Sequence, residues 1–463
     1  MIKQRLDTVI VNGRIVTGDG VTEIETGNIL IDGQAIVDVI AGVIDPPTDV
    51  QVIDAAGCTI LPGIINGHAH GCTVGPTMPS GSRPFAPSDI EYHLNRHLLS
   101  GTTTLLNVCG LALMDEIATT PNDHPLEVAV STAHTPANLA AARAIDGAGL
   151  GGRHHKMTIE AMIKAGAKAL GEAGGGQTLG GGAQDYRFIP DAIHKATAVR
   201  IHPNLARALK EAVVGRRLDH PVADLKAVDH LLHGSMLRSV IDAPALADLV
   251  RATVMPPVSL SLQGLAEIAE ASSRFGLPAI FHTATPTADT LMRLAVTHPT
   301  ARMIAAHSNH PSFEPEECVS LARALRSSGV TIDVSTLDCI STRWRNQPTN
   351  LDCLVSEGLV DTLSTDFAGG DWDSILDSLN RMVRLGQSNL ARAVALAAGN
   401  VANALPELAS DRGLIAPGRL ADIAIVEGHN LSRVRHVIKK GRVVVRNGAI
   451  CGRNERRQQR RSI

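Results

Sequence analysis

Apolar and polar residues alternate with a period of two at both ends of the chain and follow a helical period between them. In residues 1–58 the runs Thr8-Val9-Ile10-Val11, Ile29-Leu30-Ile31 and Val50-Gln51-Val52-Ile53 are punctuated by Asn12-Gly13 and Asp32-Gly33. Successive side chains of a strand point to opposite faces, and Asn-Gly or Asp-Gly accommodates a tight turn, so this segment predicts β-hairpins. Residues 414–452 repeat the pattern in Ala421-Asp422-Ile423-Ala424-Ile425-Val426, in Val434 to Lys439, and in Arg442 to Arg446, with turns at Lys440-Gly441 and Asn447-Gly448. Neither end has enough strands to be stable alone. One composite β-sandwich built from 1–58 and 414–452 is therefore expected.

The middle alternates apolar runs with helical stripes. Strands are predicted at 59–66, 102–108, 127–132, 167–172, 278–282, 302–307, 330–335 and 360–365. Ser88-Asp89-Ile90-Glu91 has the form of a capping box opening a helix that closes at Gly101. Leu262, Leu265, Ile268, Ala269 and Phe275 lie at helical spacing before Gly276, and Leu321, Ala322 and Leu325 before Gly329. Eight strand–helix units in series point to an α/β fold, a (β/α)8 TIM-like barrel over 59–413. Residues 184–256 fit no unit and read as helices. Without them 59–400 comes to about 270 residues, near the ~250 of a typical barrel. The segment is expected to be a helical insertion after the fourth strand, acting as a lid or an oligomer contact; a homo-oligomer is expected.

Composition narrows the partners. Of 463 residues, 44% are hydrophobic and 19% charged, enough for a large core, and the net charge is −3. The only basic run is the Arg-rich end within 453–463, read as a solvated tail, so no nucleic-acid partner is expected. No apolar stretch approaches the ~20 residues of a membrane span, and the start lacks a signal-peptide core. Seven dispersed cysteines without a Cys-x-x-Cys pair suit a reducing cytoplasm. Aromatic residues are 2%, which argues against a stacking surface.

The candidate chemistry sits at strand ends. His68-Ala69-His70 closes the first barrel strand, and residues two apart share a face, so both imidazoles point into the barrel mouth as two ligands for one metal would. The fifth strand ends in His282, the sixth in His307 and the eighth in Asp366. Metal-competent residues at four strand C-termini, on the face where barrel enzymes place their sites, form a constellation. Two adjacent metals need a bridging anion, either Glu172 or a carboxylated Lys168. Four residues of strand span ~13 Å, so only one of them reaches the mouth. Glu172, beside the glycine-rich exit Gly174-Gly175-Gly176 on the same pleat face, is favoured, with Lys168 lower in the barrel. Asn309, Ser308, His134 and His310 are candidate substrate contacts. The helical pairs His93/His97 and His230/His233 lack a third ligand or the glutamate of a zinc-protease motif and are read as structural. Cys72 and Cys109 read as packing residues. Gly174 to Gly182 is not followed by the Gly-Lys-Ser/Thr of a phosphate loop.

The stretches Leu61-Pro62-Gly63-Ile64-Ile65-Asn66-Gly67-His68-Ala69-His70, Gly101-Thr102-Thr103-Thr104 and Gly413-Leu414-Ile415-Ala416-Pro417-Gly418-Arg419-Leu420-Ala421-Asp422-Ile423 resemble the amidohydrolase superfamily of metal-dependent hydrolases. Within it the chain is most similar to enamidase, on Gly171-Glu172-Ala173-Gly174-Gly175-Gly176, His307-Ser308-Asn309 and Ala398-Gly399-Asn400. The resemblance implies His68, His70, Glu172, His282, His307 and Asp366 as metal ligands. It implies two divalent ions, zinc first, with Fe, Mn or Co also compatible with such ligands. The implied activity is hydrolysis of a C–N bond, an amide or cyclic amide of a small molecule, by metal-activated hydroxide with Asp366 as proton shuttle. Residues 184–256 depart from enamidase, which leaves the substrate open. The rival is a mononuclear deaminase, a class that usually carries His-x-x-Glu after the fifth strand; here the run is His282-Thr283-Ala284-Thr285. A dipeptidase or urea-type hydrolase of the same superfamily is a further alternative, and a non-catalytic scaffold a remote one.

Overall fold

The computed structural model describes residues 6–451 except 119–123, 176–178, 180–183, 256, 338, 342, 344, 345 and 368–372. Most of the glycine cluster Gly174 to Gly182 and the Arg-rich tail 453–463 thus lie outside the described residues.

Eight parallel strands form the barrel: β1 (Ile64–Ala69), β2 (Thr102–Asn107), β3 (Glu127–Thr132), β4 (Ala169–Ala173), β5 (Pro278–His282), β6 (Arg302–Ala306), β7 (Thr331–Ser335) and β8 (Thr362–Ser364). They neighbour one another in chain order. Strand β8 meets β1 through short links just beyond its end. Asp366 N donates to His68 O at 3.0 Å, and His70 N donates to Phe367 O at 2.7 Å. These two bonds lie at the predicted ligands, so ring closure and site formation share the same backbone.

The first predicted strand, 59–66, is two strands. Cys58–Pro62 belongs to the terminal sheet, pairing antiparallel with Ile423–Glu427 and parallel with Thr8–Val16. The break falls at Pro62-Gly63. Proline carries no N–H for a ladder, and a Cβ at Gly63 would lie 2.4 Å from Thr103 Oγ1. The terminal strands hydrogen-bond as one nine-stranded sheet joining both chain ends. A shared isoleucine core (Ile10, Ile31 and Ile60 from one end, Ile423, Ile425 and Ile438 from the other) holds it together.

The predicted capping box is displaced. The helix is Pro87–Leu99 with Ala86 at its N-cap, so Ser88 lies inside the first turn. Pro87, pre-set to helical φ and lacking the N–H that a first turn leaves unused, starts it instead. The stripes ending at Gly276 and Gly329 form helices Val258–Phe275 and Pro315–Ser327, and both glycines take positive φ.

Residues 184–256 contain helices Ile189–Thr197, Pro203–Val214, Leu225–His233 and Ala243–Val254. Ile193, Leu209, Val228, Leu246 and Val250 are buried in the same apolar cluster as Leu265, Ile268 and Phe281 of the barrel. The insertion is therefore continuous with the barrel core. Asp185 anchors its start, accepting from Lys210 Nζ at 2.5 Å and Arg207 Nε at 3.1 Å. The run Ala243–Phe275 is long and apolar enough to cross a membrane by length and composition. It is two helices, Ala243–Val254 and Val258–Phe275, each with a buried apolar face.

Candidate metal centre

Three local devices aim the strand ends into the mouth. Strand β4 carries a bulge: Leu170 pairs with Ala279 and Ala173 with Phe281, three steps against two. An extra residue bends a strand and redirects a side chain. Gly171 takes φ +92°, and a Cβ there would lie 2.2 Å from Ile280 O, so no other residue fits. The bulge interrupts the strict alternation on which Glu172 and Lys168 were placed on one pleat face. His307 and Asp366, just beyond the ends of β6 and β8, take φ +37° and +50°. Such conformations are sparse outside glycine, with His and Asp among the residues that tolerate them. Finally, Asn66 Nδ2 donates to Thr365 Oγ1 at 2.7 Å, and its Oδ1 accepts from His68 N at 3.3 Å and Thr365 N at 3.2 Å. One amide thus clamps the residue before Asp366 to the backbone of His68.

The structure brings His68, His70, Glu172, His282, His307 and Asp366 together. Glu172 is at the centre, 3% exposed. Its Oε1 lies 3.0 Å from His282 Nδ1 and 3.0 Å from His307 Nε2. Its Oε2 lies 3.3 Å from His70 Nε2 and 3.8 Å from His68 Nε2. Asp366 Oδ1 is 3.4 Å from both His68 Nε2 and His70 Nε2, and the two Nε2 atoms are 3.2 Å apart. Each Glu172 oxygen therefore faces a different pair of imidazoles, which is the disposition of a bridge between two half-sites.

These residues fit a divalent cation. Two ligand atoms ~2.1 Å from an ion at the tetrahedral angle are ~3.4 Å apart, and the separations here run from 3.0 to 3.8 Å. Two candidate triads emerge, His68/His70/Asp366 and His68/Glu172/His307. Imidazole nitrogens 3.2 Å apart must share either a proton or a cation. The outer nitrogens, His68 Nδ1, His70 Nδ1, His307 Nδ1 and His282 Nε2, are buried without a hydrogen-bond partner.

Electrostatics match that reading. Burial disfavours charge on His70, yet the Asp366 and Glu172 carboxylates outweigh it and hold the ring up at about 9. Burial likewise opposes charge on His307, and Asp366 and Glu172 raise it all the same. In His282 burial prevails and the ring is lowered. Glu172 stays well below the usual carboxylate range despite its burial because His282, His307 and His70 hydrogen-bond to it. Asp366 does so through His307, His68 and His70. The site binds positive charge, as a proton or as a metal ion.

The other candidates divide. Lys168 is half-buried one residue before β4, and its side chain makes no ion pair with the cluster. The Asn309 amide donates to Ser335 O and accepts from Ser335 N, both at 2.8 Å, bracing the exits of β6 and β7. Ser308 Oγ donates to Ala305 O. His134 is buried, with Nδ1 3.0 Å from Thr132 Oγ1, and burial pushes its ring down to about 4. It borders a groove of about 670 Å³ between helices Pro136–Ile145, Ile159–Ala165 and Val258–Phe275. His310 does lie beside the centre, its ring 5.5 Å from that of His282 and 5.8 Å from that of His307. Burial pushes the Cys72 and Cys109 thiols up, the latter to about 11, as befits packing residues. His230 and His233 are exposed.

Sequence reasoning missed three features. Asn66 was visible only as a polar residue two places before His68. Asp333 is a buried carboxylate beneath the site, raised by burial, accepting from Thr362 Oγ1 at 2.9 Å and Ser364 Oγ at 2.7 Å. His93 and His97 pack edge-on against Phe367 at 4.8 and 5.7 Å, wedging the residue that follows Asp366.

The sequence profile of the amidohydrolase family matches residues 59–444. An adenine deaminase of Dehalococcoides mccartyi is 31% identical over 131 residues, 27% of this chain and 20% of that protein. Similar folds include a β-aspartyl dipeptidase of Fervidobacterium islandicum (TM-score 0.57, 15% identity, 97% of this chain and 100% of the other). An L-hydantoinase of Arthrobacter aurescens matches at TM-score 0.57 and 15% identity over 97% of this chain and 98% of its own. A dihydropyrimidinase of Brevibacillus agri matches at TM-score 0.53 and 16% identity over 96% of each chain. With a barrel whose strand ends converge on Glu172 and a family profile spanning most of its length, the chain belongs to the amidohydrolase family of hydrolases.

Proposed function

We propose that the protein is a binuclear metal hydrolase opening a C–N bond in an amide or cyclic amide of a small molecule. The observation that carries this is Glu172, whose two oxygens face two different imidazole pairs. His68, His70 and Asp366 would hold one cation and His282 and His307 the other, with Glu172 shared. Zinc is the first choice for imidazole and carboxylate ligands. Such cations lower the pKa of water from 15.7 to about 7 and polarise a carbonyl.

The chain's own residues supply the proton path. Asp366 is 23% exposed at its side chain, while Glu172 is 3% exposed, so Asp366 is the carboxylate that solvent and substrate reach. Its carboxylate accepts the proton of the attacking water and returns it to the leaving nitrogen. Glu172, shut in by imidazoles, stays a fixed anion.

The fold neighbours named for hydantoin and dihydropyrimidine support a cyclic amide. Enamidase-like ring opening belongs to this reading. The adenine deaminase segment supports a second reading, deamination of a ring amidine. Thr285 against it stands where that chemistry usually has a glutamate, so the proton donor would have to come from elsewhere. A substrate screen across lactams, hydantoins, linear amides, ureas and amino-purines tests both. Ammonia release from the amino-purines with no amide, lactam, hydantoin or urea cleaved overturns the first reading, and cleavage of any of those with no ammonia from the amino-purines overturns the second. A preparation reconstituted with zinc that holds one ion per chain at full activity removes the binuclear part.

A further inference from the structure

His68 presents Nε2 to the candidate centre, so its other nitrogen, Nδ1, must carry the proton. That atom is buried, with no hydrogen-bond partner among protein atoms. An unpaired buried N–H is costly. Inside the barrel, below the ligands, lies a cavity of about 10 Å³ lined by His68, Asp333 and Thr362 and closed by Ile280, Ile304 and Ala404. Such a volume holds about one water, provided two or more polar groups face it.

Asp333 is 4% exposed. Its Oδ1 accepts from Thr362 Oγ1, and its Oδ2 accepts from Ser364 Oγ and, at 3.4 Å, from His307 N. A carboxylate has about four acceptor positions, so one remains. Thr362 Oγ1, its own proton given to Asp333, keeps lone pairs.

We propose that a single buried water links His68 Nδ1–H to the Asp333 carboxylate, making Asp333 the positioning residue that sets the tautomer and ring orientation of His68. The water accepts from Nδ1–H, donates to Asp333, and has Thr362 Oγ1 for its second proton. Metal-binding imidazoles are generally held in this way, by a carboxylate, carbonyl or water on the far nitrogen. The same carboxylate accepts the backbone N–H of His307, so it orders ligands of both half-sites. The inference rests on the metal-centre reading above.

The test measures zinc affinity of the metal-free full-length protein by competition with a chromophoric chelator, together with the absorption of the cobalt-loaded form. Asp333→Asn should weaken zinc about 10- to 100-fold, the usual effect of losing such a partner, and change the cobalt spectrum. Ala404→Val fills the cavity without removing a polar group and should weaken zinc in the same sense. The double variant should be no weaker than the worse single, because both act on one water. Asp333→Asn with wild-type zinc affinity and spectrum overturns the role of Asp333. Weakening by Asp333→Asn with no effect of Ala404→Val overturns the water. Should Asp333→Asn fail to fold, Ala404→Val with native affinity and spectrum still overturns the proposal. Wild-type protein that takes up neither metal overturns the metal centre itself, and this role with it.

Discussion

Two buried polar clusters occupy opposite ends of the barrel. At the N-terminal ends of the strands, Glu127 and Asp422 meet Arg412 and Lys439. Arg412 Nη1 donates to Glu127 at 2.8 Å and to Thr104 Oγ1 at 3.0 Å, and Lys439 Nζ to Asp422 at 2.6 Å. At the C-terminal ends, Glu172 and Asp366 meet four imidazoles at 3.0–3.8 Å. Both clusters balance buried anions, by different means. The lower one is complete, because its anions are met by an arginine and a lysine, donor-only groups with no lone pair to offer a metal ion. The upper one has only histidines, whose positive charge is a removable proton. Permanent cations make a cluster a joint between the barrel and the terminal sheet. Exchangeable ones leave a place for a metal ion. Burial and hydrogen bonding are shared by both, so neither distinguishes a site from a brace.

The largest test removes the upper anion. Glu172→Gln should cut metal towards one ion per chain and nearly abolish turnover, since a neutral amide cannot bridge two cations. Lys168→Ala should leave the metal content unchanged. The reverse pattern, measured as metal per chain, would make the bridge a carboxylated lysine and break the comparison. Next is Asp366→Asn, which keeps shape and a carbonyl ligand but accepts no proton. It should retain most of its metal and lose roughly 10²- to 10⁴-fold in turnover. A fully metallated variant with near-native turnover would leave Asp366 as a ligand alone.

Below, Arg412→Met should cost about 2–3 kcal/mol in denaturant melts, short of the full penalty for a broken buried pair because Glu127 is 32% exposed. Metal stoichiometry should not change. A variant that loses metal at unchanged stability would show that the two ends are coupled.

The smallest effect is in pH. Burial opposes ionisation of Glu127, but Arg412, Lys439 and Lys440 hold its pKa at about 2 against an ordinary 4.5. A carboxyl depressed in the folded state contributes stability that is whole above about 4.5 and is lost as pH falls towards about 2. Stability of the metal-free protein over that window should decline less in Glu127→Gln. The upper cluster responds to protons in the same sense through different groups: imidazoles must lose them to bind metal, so zinc affinity should rise with pH.

The barrel was legible because its units repeat and each strand is short, apolar and flanked by turn residues. The six converging residues were legible because they end such strands. The boundary at Pro62-Gly63 was not, because 59–66 is one unbroken apolar run and only its partners tell which half joins which sheet. Asn309 looked like a substrate contact from its neighbour His307; which backbone it would meet depends on β7, some 25 residues away.

By itself, then, the sequence determined the eightfold alternation and the histidines and carboxylates at strand ends, since these depend on local period and composition. Tertiary structure alone decided that a bulge at Gly171 aims Glu172, that Asn66 ties His68 to Thr365 across the closing seam, and that Asp333 lies under the ligands. Each of these joins residues on different strands, and such pairings are set by register and packing, which the order of residues along one strand does not record.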